Sequence, residues 1–209
     1  MRRKRLLLSV LGGSLIGGGA LWFAADRWMA SQFLRMQPDI EAQISKPLGH
    51  PVSVGSYRGL GLQGFSVGPV QVRPGPLDQS TAEIQRITIG IDVVASLQRF
   101  KPVLSVRIRG TQLDLTRNDQ GSYWVPGPFP DQGNPPRLDL LVRFTDPARI
   151  RVVPAGVSLT AAGWSGIRLD EHRADGSLSF VLPERGRITV KGRGRWVRPE
   201  FELTTRLER

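Results

Sequence analysis

The sequence predicts a mainly β chain: an N-terminal transmembrane helix and a short amphipathic helix, followed by an open, curved antiparallel β-sheet. Three observations predict it. Residues 6–25, LLLSVLGGSLIGGGALWFAA, run for twenty positions without a charge, directly after Arg2, Arg3, Lys4 and Arg5. From residue 51 onward, apolar residues recur at every second position, the period of a strand with one apolar face. Glycines and prolines, 24 and 16 in 209 residues, punctuate those runs, which is turn chemistry below the level of a disordered chain.

The first run fixes the address. Twenty helical residues at about 1.5 Å each span roughly 30 Å, the thickness of a bilayer's hydrocarbon core. Four cations on the short flank hold that end in the cytoplasm. A cleaved signal peptide needs a small-x-small exit, and here Trp22 and Phe23 stand where small residues would be required. Trp22, Arg27 and Trp28 suit an interfacial belt. Gly13 and Gly17 have the spacing that lets a second helix approach. Residues 1–25 therefore read as a basic cytoplasmic stub and single-pass anchor.

Residues 26–50 read as a helical stalk or cap. Met29, Phe33, Met36, Ile40 and Ile44 recur at helical spacing on one face. Pro38 is expected to split the run and open a second helix, with Asp39 and Glu41 in its first turn and Gly49 beyond its end.

Strands follow. Val52 and Val54 begin the alternation, then Val67, Val70 and Val72, then Ile87, Ile89, Ile91 and Val93. Leu104, Val106 and Ile108 alternate with Arg107 and Arg109, and Leu113 and Leu115 continue past Gly110. Val94 to Arg99 lacks alternation and fits a single helical turn. Leu138, Leu140, Val142 and Phe144 form another row, and Ile150, Val152, Val157, Leu159, Ile167, Leu169, Leu178, Phe180, Leu182, Ile188, Val190 and Trp196 carry the pattern to Phe201, Leu203 and Leu207. Asn118–Gly121 and Asp175–Gly176 are hairpin signals. The segment 126–137, PGPFPDQGNPPR, is a linker or long loop that divides a first β segment, 51–125, from a second, 138–209.

Composition narrows the function. There is no cysteine, hence no disulfide framework or thiolate metal site, and only His50 and His172 supply imidazole. The net charge of +11 favours anionic partners. Nucleic acid is excluded, because aromatics do not interleave with the basic strand as stacking platforms would.

A sheet with one apolar face must cover it or offer it. Two outcomes stand open: the faces close on each other as a sandwich, or they stay open as a groove for an apolar ligand. In the groove reading, Ile87, Ile89, Ile91, Leu104, Val106, Ile108, Leu113, Leu115, Leu138, Leu140, Val142, Ile188 and Val190 hold acyl chains. Arg107, Arg109, Arg193 and Arg195 form a basic rim. The strand 201–207 presents an edge expected either to continue into further strands or to pair with a partner strand.

Catalytic patterns are few. Gly64-Phe65-Ser66-Val67-Gly68 matches the G-x-S-x-G pattern, but a nucleophile elbow needs a helix after it, and Pro69-Val70-Gln71-Val72 reads as strand. Asp170, Glu171, His172 and Asp175 are the best polar cluster, yet consecutive strand residues point to opposite faces and do not converge on a metal. The expectation is no catalytic residue, no metal and no cofactor.

The order of segments resembles a known family. The anchor precedes Leu48-Gly49-His50-Pro51-Val52-Ser53-Val54-Gly55, then Gly64-Phe65-Ser66-Val67-Gly68-Pro69-Val70, then Ile91-Asp92-Val93-Val94-Ala95-Ser96-Leu97, then Val106 to Trp124, which includes Gly110 and Leu113-Asp114-Leu115. Residues 1–125 resemble the N-terminal region of the TamB and AsmA-like proteins, in their cyanobacterial and plastid branch. The resemblance implies a non-enzymatic β-groove protein of the inner membrane, with its bulk on the periplasmic side. It implies inter-membrane phospholipid transport and outer-membrane protein assembly, with an outer-membrane barrel assembly factor as partner of a full-length form. Family members are much longer, so this chain reads as the front part of such a protein. The alternative is a structural adaptor that recruits a protein by strand addition.

Overall fold

The computed structural model describes residues 2–61, 63–127, 138–169, 171–183, 186–195 and 200–208, and for 2–21, 200, 201 and 203 the backbone only. Most side chains of the expected anchor, the loop 128–137, Asp170, Arg185 and Trp196 lie outside the described residues. Among the described residues, no helix is long and apolar enough to cross a membrane.

The chain is mainly β. Helix α1 (Arg2–Leu48) is followed by β1 (Val52–Val54), β2 (Tyr57–Gly61), β3 (Gly64–Val67), β4 (Val70–Val72) and β5 (Thr81–Ile91). Helix α2 (Val93–Arg99) leads to β6 (Val103–Thr116). The second half holds β7 (Asp139–Phe144), β8 (Ala148–Val153), β9 (Val157–Arg168), β10 (Arg173–Leu182), β11 (Gly186–Arg195) and β12 (Glu200–Glu208). Among the described residues, the twelve strands belong to one sheet with a main path β1-β4-β5-β6-β7-β9-β10-β11-β12. The segments on either side of 126–137 thus join through β6.

The sheet is mixed rather than antiparallel. β6 pairs parallel with β7, Val103 opposite Asp139, and with β8, Leu113 opposite Ile150. Parallel neighbours need a long crossover, and the chain from 117 to 138 provides it. Asn118 Oδ1 accepts from Gln120 N and Ser122 N and forms the expected turn, but the next strand among the described residues, β7, runs parallel to β6 rather than back along it. Trp124 instead donates from Nε1 to Leu48 O at 3.1 Å, which ties the return to the end of α1. Asp175 and Gly176, expected in a turn, lie inside β10 opposite Gly166 and Ser165. A Cβ on Gly176 would meet Trp164 O at 2.9 Å, so this glycine serves close strand approach rather than a turn.

Helix α1 is continuous through Pro38 and Pro47, not split. A proline inside a helix costs roughly 3 kcal/mol. Packing on both sides of Pro38 offsets it. Before it, Phe33 is buried with Val52, Val54, Val67, Val70 and Val72. After it, Glu41 accepts from Val54 N at 2.7 Å and Ser45 from Val52 N at 2.9 Å. Gln37 donates to Val54 O at 2.5 Å, and Asp26 accepts from Leu60 N at 2.7 Å. The buried stripe of α1 is therefore partly polar, and Met36 and Ile44, expected on it, are exposed. The outer edges of β1 and β2 have unpaired backbone groups, and the helix supplies the oxygens and amide that satisfy them.

One irregularity organises the sheet. Gly110 adopts φ +66°, and the Gln85–Gly110 pair is missing from the β5–β6 ladder, which resumes on either side as Ile84–Thr111 and Arg86–Arg109. Ile84 and Ile87, three residues apart, both pack on the valine cluster below α1. The apolar phase therefore inverts here, and residues of even and odd number come to share a face. Asp146 bridges the same level from between β7 and β8, accepting from Gly110 N at 3.1 Å.

Candidate functional site

The apolar positions assemble in register. Ile87 faces Ile108, Ile89 faces Val106 and Ile91 faces Leu104. Leu104 and Val106 in turn face Leu140 and Val142, and Leu140 faces Ile167. Past Gly110, Leu113 and Leu115 face Ile150 and Val152. Ile188 and Val190 face Phe180 and Leu178 on the same side, separated from Val142 by the smaller Ser165, Gly163 and Gly176. Leu138 precedes β7, its carbonyl accepting from Leu169 N at 3.0 Å.

None of these thirteen residues is buried. Twelve are half-buried and Ile91 is 62% exposed. Neighbours along each ladder shade one another, as on any sheet face. Beyond adjacent strands, the main packing is α1 on β1 and β2 and α2 against β6. Helix α1 thus covers one end of the apolar face.

The four arginines stand on the opposite face. Arg107 lies opposite Thr88 and Arg143, and Arg109 opposite Arg86. Like charges directly across a ladder repel, which leaves a cationic surface. Arg107 donates to Gln63 Oε1 at 2.5 Å. Arg86, Arg107 and Arg109 line a depression of ≈ 340 Å³ on this face. Arg193 is opposite Asp175 and Glu202, and Arg195 opposite Arg173. A further depression of ≈ 530 Å³ lies on the same polar side, where Arg151 forms a two-pronged pair with Asp114 at 2.9 and 2.8 Å.

Two buried charge centres escaped the sequence pattern. His50 and Asp78 lie beneath the end of α1, both essentially sealed from solvent. Asp78 accepts from His50 Nε2 at 2.8 Å, Ser80 N at 2.9 Å and Val125 N at 2.8 Å. Burial raises its carboxyl, but those hydrogen bonds outweigh burial and hold it below its ordinary value. Trp124 stacks on the His50 ring with centroids 4.1 Å apart. At the other end of the sheet, Asp139, 1% exposed, meets Arg99 Nη1 at 2.5 Å, Lys101 Nζ at 2.8 Å and Arg168 Nε at 4.0 Å. Burial raises this carboxyl, and Lys101 and Arg99 reverse the shift to a net lowering. Partners 28 and 40 residues apart in sequence leave no local signal. The Tyr57 hydroxyl, donating to Asp26 at 2.7 Å, is pushed up to about 12, first by burial and then by Asp26.

The polar patterns singled out in the sequence are dispersed. Ser66 lies in β3 with its hydroxyl 2.9 Å from Thr88 Oγ1, and strand β4 follows. Glu171 pairs with Arg168 and Arg173, while Asp175 sits across from Arg193. Among the described residues, no group of three or more metal-ligating side chains converges. No family model, no curated protein and no solved structure matches this chain.

Proposed function

We propose that this chain is a non-enzymatic, single-pass membrane-anchored β-groove protein, similar to the TamB and AsmA-like proteins, whose apolar sheet face carries phospholipid acyl chains. In this reading residues 6–25 cross the inner membrane, the N-terminus is cytoplasmic and the sheet stands on the periplasmic side. The observation that carries it is the ladder Ile89–Val106–Val142 with Ile91–Leu104–Leu140, in register across three strands with no residue buried. A registered apolar row that packs nothing against itself is a surface with unspent hydrophobic driving force. Each methylene it shields is worth about 0.8 kcal/mol, so a few buried stretches of acyl chain offset their loss from the bilayer. No single residue is indispensable, which accounts for the lack of a sharp motif. The resemblance further supports a role in outer-membrane protein assembly, with a barrel assembly factor meeting a longer form.

The test is lipid content. The full chain, purified in a mild detergent, is expected to retain phospholipid detectable by mass spectrometry of the extract. Val106→Asp with Leu140→Asp, which puts two carboxylates on half-exposed positions, is expected to strip it while leaving the circular dichroism spectrum unchanged. Equal phospholipid in both proteins would overturn the reading.

A further inference from the structure

Helix α2 buries none of its residues. Its apolar side chains Val93, Val94 and Leu97 are 63%, 66% and 71% exposed, and Phe100, which caps it in a left-handed conformation, is 97% exposed. These positions fall at i, i+1, i+4 and i+7, one stripe of a helix. A short helix with a bare apolar stripe is costly in water, and α2 is nonetheless fixed in place. Asp92 caps it by accepting from Ala95 N at 3.0 Å, and Ser96 Oγ accepts from Val103 N at 2.9 Å. The ion pair of Arg99 with buried Asp139 fixes its end.

Cations begin at the end of this stripe, with Arg99 in α2 and Lys101 just after Phe100. Row by row, Val103 faces Asp139, Asp139 faces Arg168, Arg168 faces Arg173 and Arg173 faces Arg195. Arg99, Lys101, Arg168, Arg173 and Arg195 therefore gather along one end of the sheet. Asp139 and Glu171 pair with these cations and Glu200 holds the register position opposite Arg195, so the acids offset only part of that charge.

The same end is where α1 leaves the sheet. Ser45 is bonded to Val52, and Val52 faces Val72, which faces Ala82. Asp26 is bonded to Leu60, and Leu60 faces Phe65, which faces Ile89. Going back along α1 from Ser45 to Asp26 thus follows β5 from Ala82 to Ile89. Residues before Asp26 continue past Ile91, toward the level of α2. From β2, whose edge α1 caps, to β6, on which α2 packs, is three strand spacings, roughly 15 Å. Trp22, Phe23 and Trp28 are exposed there.

We propose that α2 and Phe100, with the basic row beside them, form a second membrane contact that seats on the anionic leaflet through which α1 emerges. This rests on the reading of residues 6–25 as the anchor. The apolar stripe inserts at headgroup depth and the cations meet lipid phosphates, the arrangement of an interfacial amphipathic segment. Two contacts fix the tilt of the sheet, with strand ends toward the bilayer. The row Ile91–Leu104–Leu140 then opens directly at the leaflet surface, so an acyl chain leaving the membrane meets it first.

The chain has no cysteine, so one label can be placed at will. An environment-sensitive fluorophore goes on Leu97→Cys, and on Asp119→Cys at the opposite end of the sheet. Both positions are exposed, so neither substitution disturbs packing. The full chain is reconstituted in vesicles of phosphatidylethanolamine with phosphatidylglycerol, or of phosphatidylcholine alone, each carrying shallow nitroxide lipids. The expected result is a blue shift and strong quenching at 97 in the anionic vesicles, weaker quenching at 97 in the neutral ones, and none at 119. An aqueous spectrum at 97 in protein that resists alkaline carbonate extraction overturns this contact and leaves the anchor standing. Extraction by carbonate together with an aqueous spectrum overturns both. Extraction from vesicles in which 97 had been quenched overturns the anchor and supports the contact. A blue shift without lipid quenching means that a second copy covers α2, and overturns the proposal, as does equal quenching in neutral vesicles.

Discussion

His50 Nε2 lies 2.8 Å from Asp78 Oδ1, while Nδ1 of the same ring lies 2.9 Å from Leu48 O. Both ring nitrogens face oxygens of the protein. The pair joins three pieces of chain: the end of α1 through Leu48, the segment before β5 through Ser80, and the return loop through Val125. Asp78→Asn replaces one of the two acceptor oxygens that receive His50, Ser80 N and Val125 N with an amide donor. The substitution is therefore expected to lower stability by about 1–3 kcal/mol, read as a shift in the urea midpoint. A change below about 1 kcal/mol would mean that the pair contributes no more than a surface one.

The same carboxyl sets a pH dependence. The folded state holds Asp78 below its ordinary value. The stability it contributes is therefore complete above the usual carboxylate range and is lost as pH falls through the lowered value. Asp139 is shifted in the same direction and adds to the effect. Urea midpoints are expected to fall steeply below about pH 4, and less steeply in Asp78→Asn. Parallel pH profiles for the two proteins would contradict the assignment.

Glu41 is expected to matter through an edge it caps rather than through its charge. Glu41→Ala leaves Val54 N without its 2.7 Å acceptor beneath the helix. An unsatisfied buried donor costs about 1–3 kcal/mol. Glu41→Gln keeps an acceptor oxygen and is expected to recover most of the loss. Equal destabilisation by both substitutions in chemical unfolding would show that charge, not edge capping, is what counts.

Gly110 gives a conformational prediction. At φ +66° a side chain is strained, and a Cβ there would meet the Gln85 side chain at 2.5 Å. Gly110→Ala is expected to cost about 1 kcal/mol or more. The accompanying readout is hydrogen exchange, expected to rise at residues 84–87 and 108–111, where the apolar phase inverts. Exchange unchanged across both stretches would contradict the role given to this glycine.

The alternation from residue 51 exposed most of the strands, and it also carried the phase change, since Ile108 and Leu113 flank Gly110 with the wrong parity for one uninterrupted strand. What the alternation lacked was pairing order. Nothing local in Asp139–Phe144 says that it lies parallel to β6, because that follows from where the 117–138 connection returns. Gly176 illustrates the ambiguity of glycine: Asp-Gly reads as a turn, but here it admits a neighbouring backbone. The helix stripe departs from its apolar spacing at Met36 and Ile44 because the surface beneath α1 is a strand edge, which selects Gln37, Glu41 and Ser45. The bare stripe of α2 was present in the spacing of Val93, Val94, Leu97 and Phe100, but only the structure shows it uncovered.

On the proposed function, the apolar ladder meets acyl chains in the membrane. A photoreactive amino acid at Ile89, Val106 or Leu140, with Arg107 on the opposite face as control, reads this in the full chain in its native membrane. Phospholipid adducts are expected at 89, 106 and 140 and none at 107. Adducts only to protein, or no lipid adduct at any of the three, would contradict the proposed function.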